Sequence, residues 1–239
     1  MNPTTRVLFV PGFMQRGSAW APVAELLPDR YPSTLLDHRE HSFEGRLREI
    51  ADAGEGAVLC GYSLGGRLAV HAALRDPSFY AGLITVGASA GIDEPAARAE
   101  RARADEKIAA WMETAAIEDI VAVWERQPLF ADQSDPLVEN QREGRVSHDP
   151  RELALVLRTA GQGTLDPVWH ELWEIRLPWL ALAGARDERY SAAARRIARE
   201  ARNARAEVVP DAGHAAHLQQ PAAVAELIAE FLDETGKRV

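Results

Sequence analysis

Short apolar runs alternate with amphipathic segments along most of this chain. The runs predict β-strands at 6–10, 34–36, 57–60, 83–86, 179–183 and 206–209. Apolar residues at helical spacing predict helices at 18–27, at 43–52, after residue 63, at 191–201 and at 221–232. This alternation is typical of an α/β fold, and we expect a mainly parallel six-stranded sheet flanked by helices. Functional residues of such a sheet lie at the carboxyl ends of the strands.

The alternation stops between residues 88 and 167. That stretch is rich in alanine, arginine and glutamate, and its apolar positions follow a helical period throughout. A helical block inside a β/α chain indicates an insertion over the core. We therefore predict a core formed by 1–87 and 168–239, and a helical cap formed by 88–167.

The clearest motif is Gly-x-Ser-x-Gly, formed by Gly61, Ser63 and Gly65 at the end of the third apolar run. A strand, a sharp turn and a helix at this motif form a nucleophile elbow, which exposes the serine hydroxyl. The glycines let the strand and the helix pass close together. The backbone N–H of Leu64, at the start of the helix, is a candidate donor to an oxyanion.

A serine needs a base, and the base needs an acid that fixes its orientation. Asp187 follows the fifth predicted strand and His214 follows the sixth. The order Ser63, Asp187, His214 is that of α/β-hydrolases. Asp211 and His217 are the competing residues; we favour Asp187 because Asp211 lies within the turn before His214, and we favour His214 because a glycine precedes it.

A second oxyanion donor is expected from the loop after the first strand, where the N–H of Phe13 follows Pro11-Gly12. Arg67 lies one helical turn after Ser63 and therefore on the same face of the helix. A cation in a first turn is disfavoured by the helix dipole. The choice for Arg67 is therefore between an anion ligand and a solvated surface residue.

Composition narrows the classes of partner. The 239 residues carry a net charge of −9, which argues against nucleic-acid or anionic-membrane binding. The single cysteine, Cys60, excludes an intrachain disulfide and a cysteine-based zinc site. No apolar stretch approaches the ~20 residues of a membrane span, and the first residues lack a secretion signal. We expect a cytoplasmic protein that uses no metal or organic cofactor.

Four segments together resemble the MenH family, a branch of the α/β-hydrolase fold. They are Gly61-Tyr-Ser-Leu-Gly-Gly-Arg67, Trp124-Glu-Arg-Gln-Pro-Leu-Phe130, Gly184-Ala-Arg-Asp-Glu-Arg-Tyr190 and Gly213-His-Ala-Ala-His-Leu218. The chain departs from the family at Pro11, where a histidine is usual, and at 37–42, where the family carries an Asp-x-Pro-Gly-His-Gly turn.

The resemblance implies that Ser63, Asp187 and His214 form a catalytic triad. It implies a pocket wall of Tyr62 and Trp124, and it implies three arginines that bind carboxylates: Arg67, Arg101 and Arg145. Arg142 is a neighbouring alternative to Arg145. Arginine suits this task because its planar fork pairs with a carboxylate through two hydrogen bonds.

The function that the resemblance implies is that of a 2-succinyl-6-hydroxy-2,4-cyclohexadiene-1-carboxylate synthase. Such an enzyme eliminates pyruvate from a cyclohexene tricarboxylate in menaquinone biosynthesis. The expected partner is a small polycarboxylate, with no obligate protein partner. The first alternative is a carboxylesterase or a carbon–carbon bond hydrolase with the same triad, and the second is a ligand-binding protein without turnover.

Overall fold

A computed structural model describes residues 5–236 of the protein; residues 1–4 and 237–239 lie outside the described part. The sheet has six strands: β1 (Val7–Val10), β2 (Ser33–Leu35), β3 (Val58–Tyr62), β4 (Gly82–Val86), β5 (Trp179–Gly184) and β6 (Ala204–Val209). Their order across the sheet is β2-β1-β3-β4-β5-β6, and every neighbouring pair is parallel. The predicted six-stranded α/β sheet is confirmed.

Helices connect and cover the strands. They are α1 (Ala21–Ala24), α2 (Phe43–Gly54), α3 (Leu64–Arg75), α4 (Pro95–Met112), α5 (Ile117–Glu125), α6 (Asp135–Val146), α7 (Pro150–Ala160), α8 (Glu188–Glu200), α9 (Ala216–Gln219) and α10 (Pro221–Gly236). Short 3-10 turns lie at Gly17–Trp20, Pro128–Phe130 and Trp169–Glu174.

The central strands are buried on both faces. Successive side chains of a strand point to opposite sides of the sheet, so each strand supplies two cores. Leu8 and Leu59 pack with residues of α2, α3 and α8, whereas Phe9 and Cys60 pack with residues of α1 and α10. Coverage on both faces explains why these strands read as continuous apolar runs rather than alternating ones.

The order of the strands places the candidate site. The chain leaves β1 to form β2 on one side and returns to form β3 on the other, so the connections diverge between β1 and β3. A crevice forms at the carboxyl ends of strands where the connections diverge in this way. The loop with Phe13 follows β1 and Ser63 follows β3, and both therefore border the crevice.

The segment between β4 and β5 contains helices α4 to α7 and no strand among the described residues. Helices α4 and α7 are held together by Arg158, which pairs with Glu106 at 2.9 Å and with Glu113. Residues of α4, α5 and α7 form an apolar cluster that also takes in Met14 of the loop after β1. The helical segment thus packs onto the core beside the crevice, while its limits as a separate cap remain a prediction.

The prediction of one helix over 18–27 was wrong. A 3-10 turn, Gly17–Trp20, is followed by the single helical turn α1. Pro22 explains the break, because it has no N–H to donate to the carbonyl of Ser18. Among the described residues, no helix is both long enough and apolar enough to cross a membrane.

Candidate active site

Ser63 occupies a strained turn between β3 and α3. Its φ is 49° and its ψ is −109°, a conformation that non-glycine residues rarely adopt. The turn requires glycine on both sides. A Cβ on Gly61 would lie 2.3 Å from the carbonyl oxygen of Gly65, and a Cβ on Gly65 would lie 2.3 Å from that of Val10. The backbone thus holds the Ser63 hydroxyl at the start of α3.

Three candidate residues from three different strand ends meet at this turn. His214 Nε2 lies 3.1 Å from Ser63 Oγ, and His214 Nδ1 lies 2.7 Å from Asp187 Oδ2. The other carboxylate oxygen of Asp187 accepts a hydrogen bond from the backbone N–H of Tyr190 at 3.1 Å, so Asp187 also caps α8. Asp187 and His214 are both buried. The geometry is that of a nucleophile, its base and the acid that orients the base.

The competing residues lie elsewhere. Asp211 has a φ of 54° in the turn after β6, and its exposed carboxylate pairs with Arg186 at 3.2 Å. His217 is fully buried, with its ring stacked 4.4 Å from that of Trp20 and 4.2 Å from that of Tyr62. Burial, with a smaller contribution from the neighbouring His214, lowers the pKa of His217 to about 3. His217 is therefore a packing residue, which contacts the cavity residue Tyr62 on the side of the core.

Both predicted oxyanion donors border the serine. Among the described residues, neither the N–H of Phe13 nor that of Leu64 donates a hydrogen bond to a protein acceptor. The Phe13 loop is held by Gln15, whose side-chain oxygen accepts from the N–H of Gly12 at 3.1 Å. A Cβ on Gly12 would lie 2.6 Å from the Tyr62 ring, so only glycine lets this loop approach.

A cavity of about 220 Å³ opens above Ser63, between the ends of the strands and helices α4 to α7. Much of its wall is aromatic: Phe13, Tyr62, Trp124, Phe130 and Tyr190 all line it. The rings of Phe13 and Trp124 meet edge to face at 5.1 Å, which joins the oxyanion loop to α5. Tyr190 packs 4.5 Å from the ring of His214.

Four arginines also line the cavity: Arg67, Arg101, Arg145 and Arg189. Arg101 pairs with Asp105 at 2.8 Å, and Arg145 pairs with Glu125 at 3.0 Å. Arg67 and Arg189 form no ion pair with any described residue.

Within residues 5–236, the one hydrogen bond of the Arg67 guanidinium goes to the carbonyl oxygen of Ala160, at 3.1 Å. Burial lowers the pKa of Arg67 to about 10, and the nearby charge of Arg101 adds to this effect. The guanidinium remains charged at neutral pH without an anion beside it, so the cavity is set up to receive one. Within residues 5–236, no cluster of histidine, cysteine or acidic side chains has the arrangement of a metal site.

The chain is similar to known proteins of the α/β-hydrolase fold. The chain matches the Alpha/beta hydrolase family over residues 7–227. A 2-succinyl-6-hydroxy-2,4-cyclohexadiene-1-carboxylate synthase of Escherichia coli is 32% identical over 240 residues, which cover 95% of this chain and 93% of the relative. The solved structure of MenH from S. aureus superposes with a TM-score of 0.87 at 26% identity, covering 98% of this chain and 96% of that one. The chain belongs to the MenH family of alpha/beta hydrolases.

A thermophilic esterase from Thermogutta terrifontis shares the fold as well, with a TM-score of 0.78 at 23% identity over 97% of this chain and 90% of its own. That likeness shows the fold alone. The E. coli relative and the S. aureus MenH structure, by contrast, confirm the resemblance to the MenH family that the four sequence segments carry.

The structure places the residues that the family resemblance implied. Tyr62, at the end of β3, and Trp124, in α5, both line the cavity. Arg101 and Arg145 line it too, but each is engaged by an acidic neighbour. Arg142, the alternative to Arg145, is exposed, pairs with Glu125 at 2.6 Å and does not line the cavity.

Sequence reasoning missed several polar residues of the cavity, among them Arg189 and Gln162. Gln162 is buried, and its side-chain oxygen accepts from Arg101 at 3.1 Å and from Arg189 at 3.4 Å. Arg189 lies inside a segment that carried the family resemblance, two residues after Asp187, and this spacing was the available signal. Gln162 lies between Gly161 and Gly163, which in sequence indicates no more than a turn. The structure shows that the turn packs closely against α4, because a Cβ on Gly163 would lie 2.2 Å from the backbone nitrogen of Ala102.

Proposed function

We propose that this protein is a 2-succinyl-6-hydroxy-2,4-cyclohexadiene-1-carboxylate synthase, a lyase of menaquinone biosynthesis. The observation that carries the proposal is a half-buried arginine, Arg67, which forms no ion pair with any described residue and lines the same cavity as a hydrogen-bonded Ser63–His214–Asp187 set. A hydrolase of neutral esters has no use for a cation in that place, because holding it there without a partner lowers stability. The E. coli relative with this activity in its name spans nearly the whole chain.

The charge of the substrate matches the cavity. The product in the relative's name keeps two carboxylates, one on the ring and one on the succinyl chain, and the released pyruvate carries a third. The substrate is therefore a trianion at neutral pH. A cluster of arginines in a small cavity attracts and orients such a molecule, even though the protein as a whole carries a net charge of −9.

Loss of pyruvate from a cyclohexene to leave a cyclohexadiene is an elimination. One C–H bond and one C–O bond break, one C=C bond forms, and no water is consumed. Ser63 gives its proton to His214 and takes the proton from the carbon next to the succinyl carbonyl. Asp187 stabilises the His214 cation, and the N–H groups of Phe13 and Leu64 stabilise the negative charge on the carbonyl oxygen. The departing enolpyruvate then takes the proton from His214 and becomes pyruvate.

The alternative is a carboxylesterase or a carbon–carbon bond hydrolase, in which Ser63 attacks a carbonyl and an acyl-enzyme forms. The same triad geometry serves that chemistry. It leaves Arg67 without a role, and the esterase among the solved structures supports the fold only. We therefore prefer the lyase. A cytoplasmic location is part of the proposal. The proposal also includes no membrane or nucleic-acid partner, which the net charge of −9 supports.

The test compares two reactions of the purified protein. Pyruvate release from the cyclohexene tricarboxylate is followed beside the hydrolysis of a panel of p-nitrophenyl esters. We expect pyruvate in equal amount to the cyclohexadiene product, loss of this activity in Ser63→Ala, and ester turnover that is slower by orders of magnitude. Rapid ester hydrolysis with no pyruvate release would identify the hydrolase instead.

A further inference from the structure

Arg189 is the second arginine of the cavity without an acidic partner. It lies in the first turn of α8, exposed at the edge of the cavity. Its guanidinium makes a single hydrogen bond, to the side-chain oxygen of Gln162 at 3.4 Å, and lies 5.6 Å from the centre of the Tyr190 ring. Within the described residues, no carboxylate lies within ion-pair distance of it.

The four arginines of the cavity differ in whether a carboxylate of the protein pairs with them. The charges of Arg101 and Arg145 are each offset by a carboxylate of the protein. Among the arginines that line the cavity in the described part of the chain, Arg67 and Arg189 are the two without an ion-pair partner. A ligand with several carboxylates therefore has two places at which it meets a free cation, and the family resemblance supplies only the first.

The position of Arg189 is unfavourable for the isolated fold. It is the second residue of α8, where the helix dipole disfavours a positive charge. Arg67, at the fourth residue of α3, has the same disadvantage. Both helices begin at the cavity. The amino end of α8 is capped by Asp187, whereas the first turn of α3 has no acidic side chain. The unfavourable placement of both cations is relieved when a ligand brings negative charge between them.

Gln162 fixes the direction of Arg189. Its side-chain nitrogen donates to Ser89 Oγ at 3.0 Å, which leaves its oxygen to accept from Arg101 and Arg189. The amide therefore links the loop after β4 to α4 and α8. Because Gln162 is neutral, it orients the Arg189 guanidinium without cancelling its charge.

We propose that Arg189 binds one carboxylate of the substrate and that Gln162 is the positioning residue for this contact. The inference rests on the proposed function, since it assigns a role in binding the tricarboxylate. Arg189 then joins Arg67 as a determinant of specificity for polyanionic substrates over esters.

The first experiment removes the charge of Arg189. In Arg189→Ala we expect KM for the tricarboxylate to rise about tenfold or more, with kcat changed by less than about threefold, because the contact is made in the ground state as well. Arg189→Lys should recover part of the loss. Arg195→Ala is the matched control: it removes an exposed arginine from the same helix, with the same change in net charge, outside the cavity.

Three substrate analogues, each with one carboxylate converted to a primary amide, identify the contact. The wild-type protein should lose affinity for each analogue. In Arg189→Ala, one of the three amides should bind no worse than the parent tricarboxylate, because its missing partner is the residue already removed. If all three amide penalties are the same in Arg189→Ala as in the wild type, Arg189 binds no carboxylate and the inference is wrong.

Gln162→Glu tests the positioning role. The substitution keeps the shape and puts a negative charge between Arg101 and Arg189, so we expect KM to rise while the melting temperature holds or increases. An unchanged KM would contradict the role of Gln162. Failure of the proposed function gives a different result. If the wild-type protein releases no pyruvate, both the proposed function and the role of Arg189 are wrong. If the wild-type protein turns over normally and Arg189→Ala has the same KM, only the role of Arg189 is wrong.

Discussion

Replacing Arg67 with methionine should have opposite effects on stability and on activity. Methionine replaces the aliphatic part of the side chain with an apolar chain of similar length but removes the guanidinium and its charge. In the free protein the guanidinium has one hydrogen bond, to Ala160, and no ion pair with a described residue. The substitution thus removes a burial penalty from the fold and a carboxylate ligand from the site.

The structure sets the size of the two effects. The lowering of the Arg67 pKa from 12.5 to about 10 corresponds to roughly 3 kcal/mol against the charged form. Partial exposure to the cavity reduces this figure, and loss of the bond to Ala160 costs about 1 kcal/mol. We expect Arg67→Met to raise the free energy of unfolding by about 1 kcal/mol. Loss of a desolvated carboxylate contact should lower transition-state binding by roughly 2–5 kcal/mol, or about 30- to 5,000-fold in kcat/KM.

Two measurements on the same preparation check this prediction. Urea unfolding gives the stability, and pyruvate release coupled to NADH oxidation by lactate dehydrogenase gives kcat/KM. Arg75→Met is the matched control: Arg75 lies in the last turn of α3, is exposed and donates to Glu44 at 2.7 Å. We expect that control to lose a little stability and to keep its activity. If Arg67→Met keeps kcat/KM within about threefold of the wild type, Arg67 binds no substrate carboxylate and the reasoning is refuted.

Three further predictions concern the elbow, the acid and the histidines. Asp187→Asn should lower kcat by about 10³-fold or more, since the histidine loses the partner that fixes its tautomer, yet asparagine still caps α8 and the melting temperature should change little; a kcat near that of the wild type would contradict the triad. Gly61→Ala should cost about 3 kcal/mol or prevent folding, because the new methyl group would lie 2.3 Å from the carbonyl oxygen of Gly65; an unchanged urea midpoint would show that the elbow is not tightly packed. Burial lowers the pKa of His148 to about 4, so the unfolded chain gains a proton below pH 6.5 while the folded protein does not. Stability should fall between pH 6.5 and about 4, with this residue contributing on the order of 1–2 kcal/mol at pH 5; His148→Gln should flatten the profile, and the exposed His170→Gln is the control.

The sequence predicted those parts of the site that depend on local chain geometry. Glycine, serine and glycine at the end of an apolar run indicate one backbone conformation, and the structure has it at Ser63. Asp187 and His214 follow strands, and parallel strands bring their carboxyl ends to one edge. The strand pattern alone was therefore enough to predict that these three side chains meet.

The parts that depend on packing between distant segments were out of reach. Arg142 and Arg145 lie three residues apart on one face of α6, and both contact Glu125. Only the fold shows that Arg145 lines the cavity. Arg189 carried little signal of its own, because all but two of the 27 basic residues are arginine. Its proposed role follows from the lack, among the described residues, of a carboxylate within ion-pair distance, which only tertiary structure reveals.

The central claim is that Ser63 acts as a base in an elimination and never becomes acylated. Intact-mass spectrometry of the protein during steady turnover of the cyclohexene tricarboxylate tests this directly, with pyruvate measured in the same samples. We expect pyruvate to accumulate while the protein keeps its unmodified mass. A covalent adduct that forms on Ser63 during turnover, and that Ser63→Ala abolishes, would contradict it.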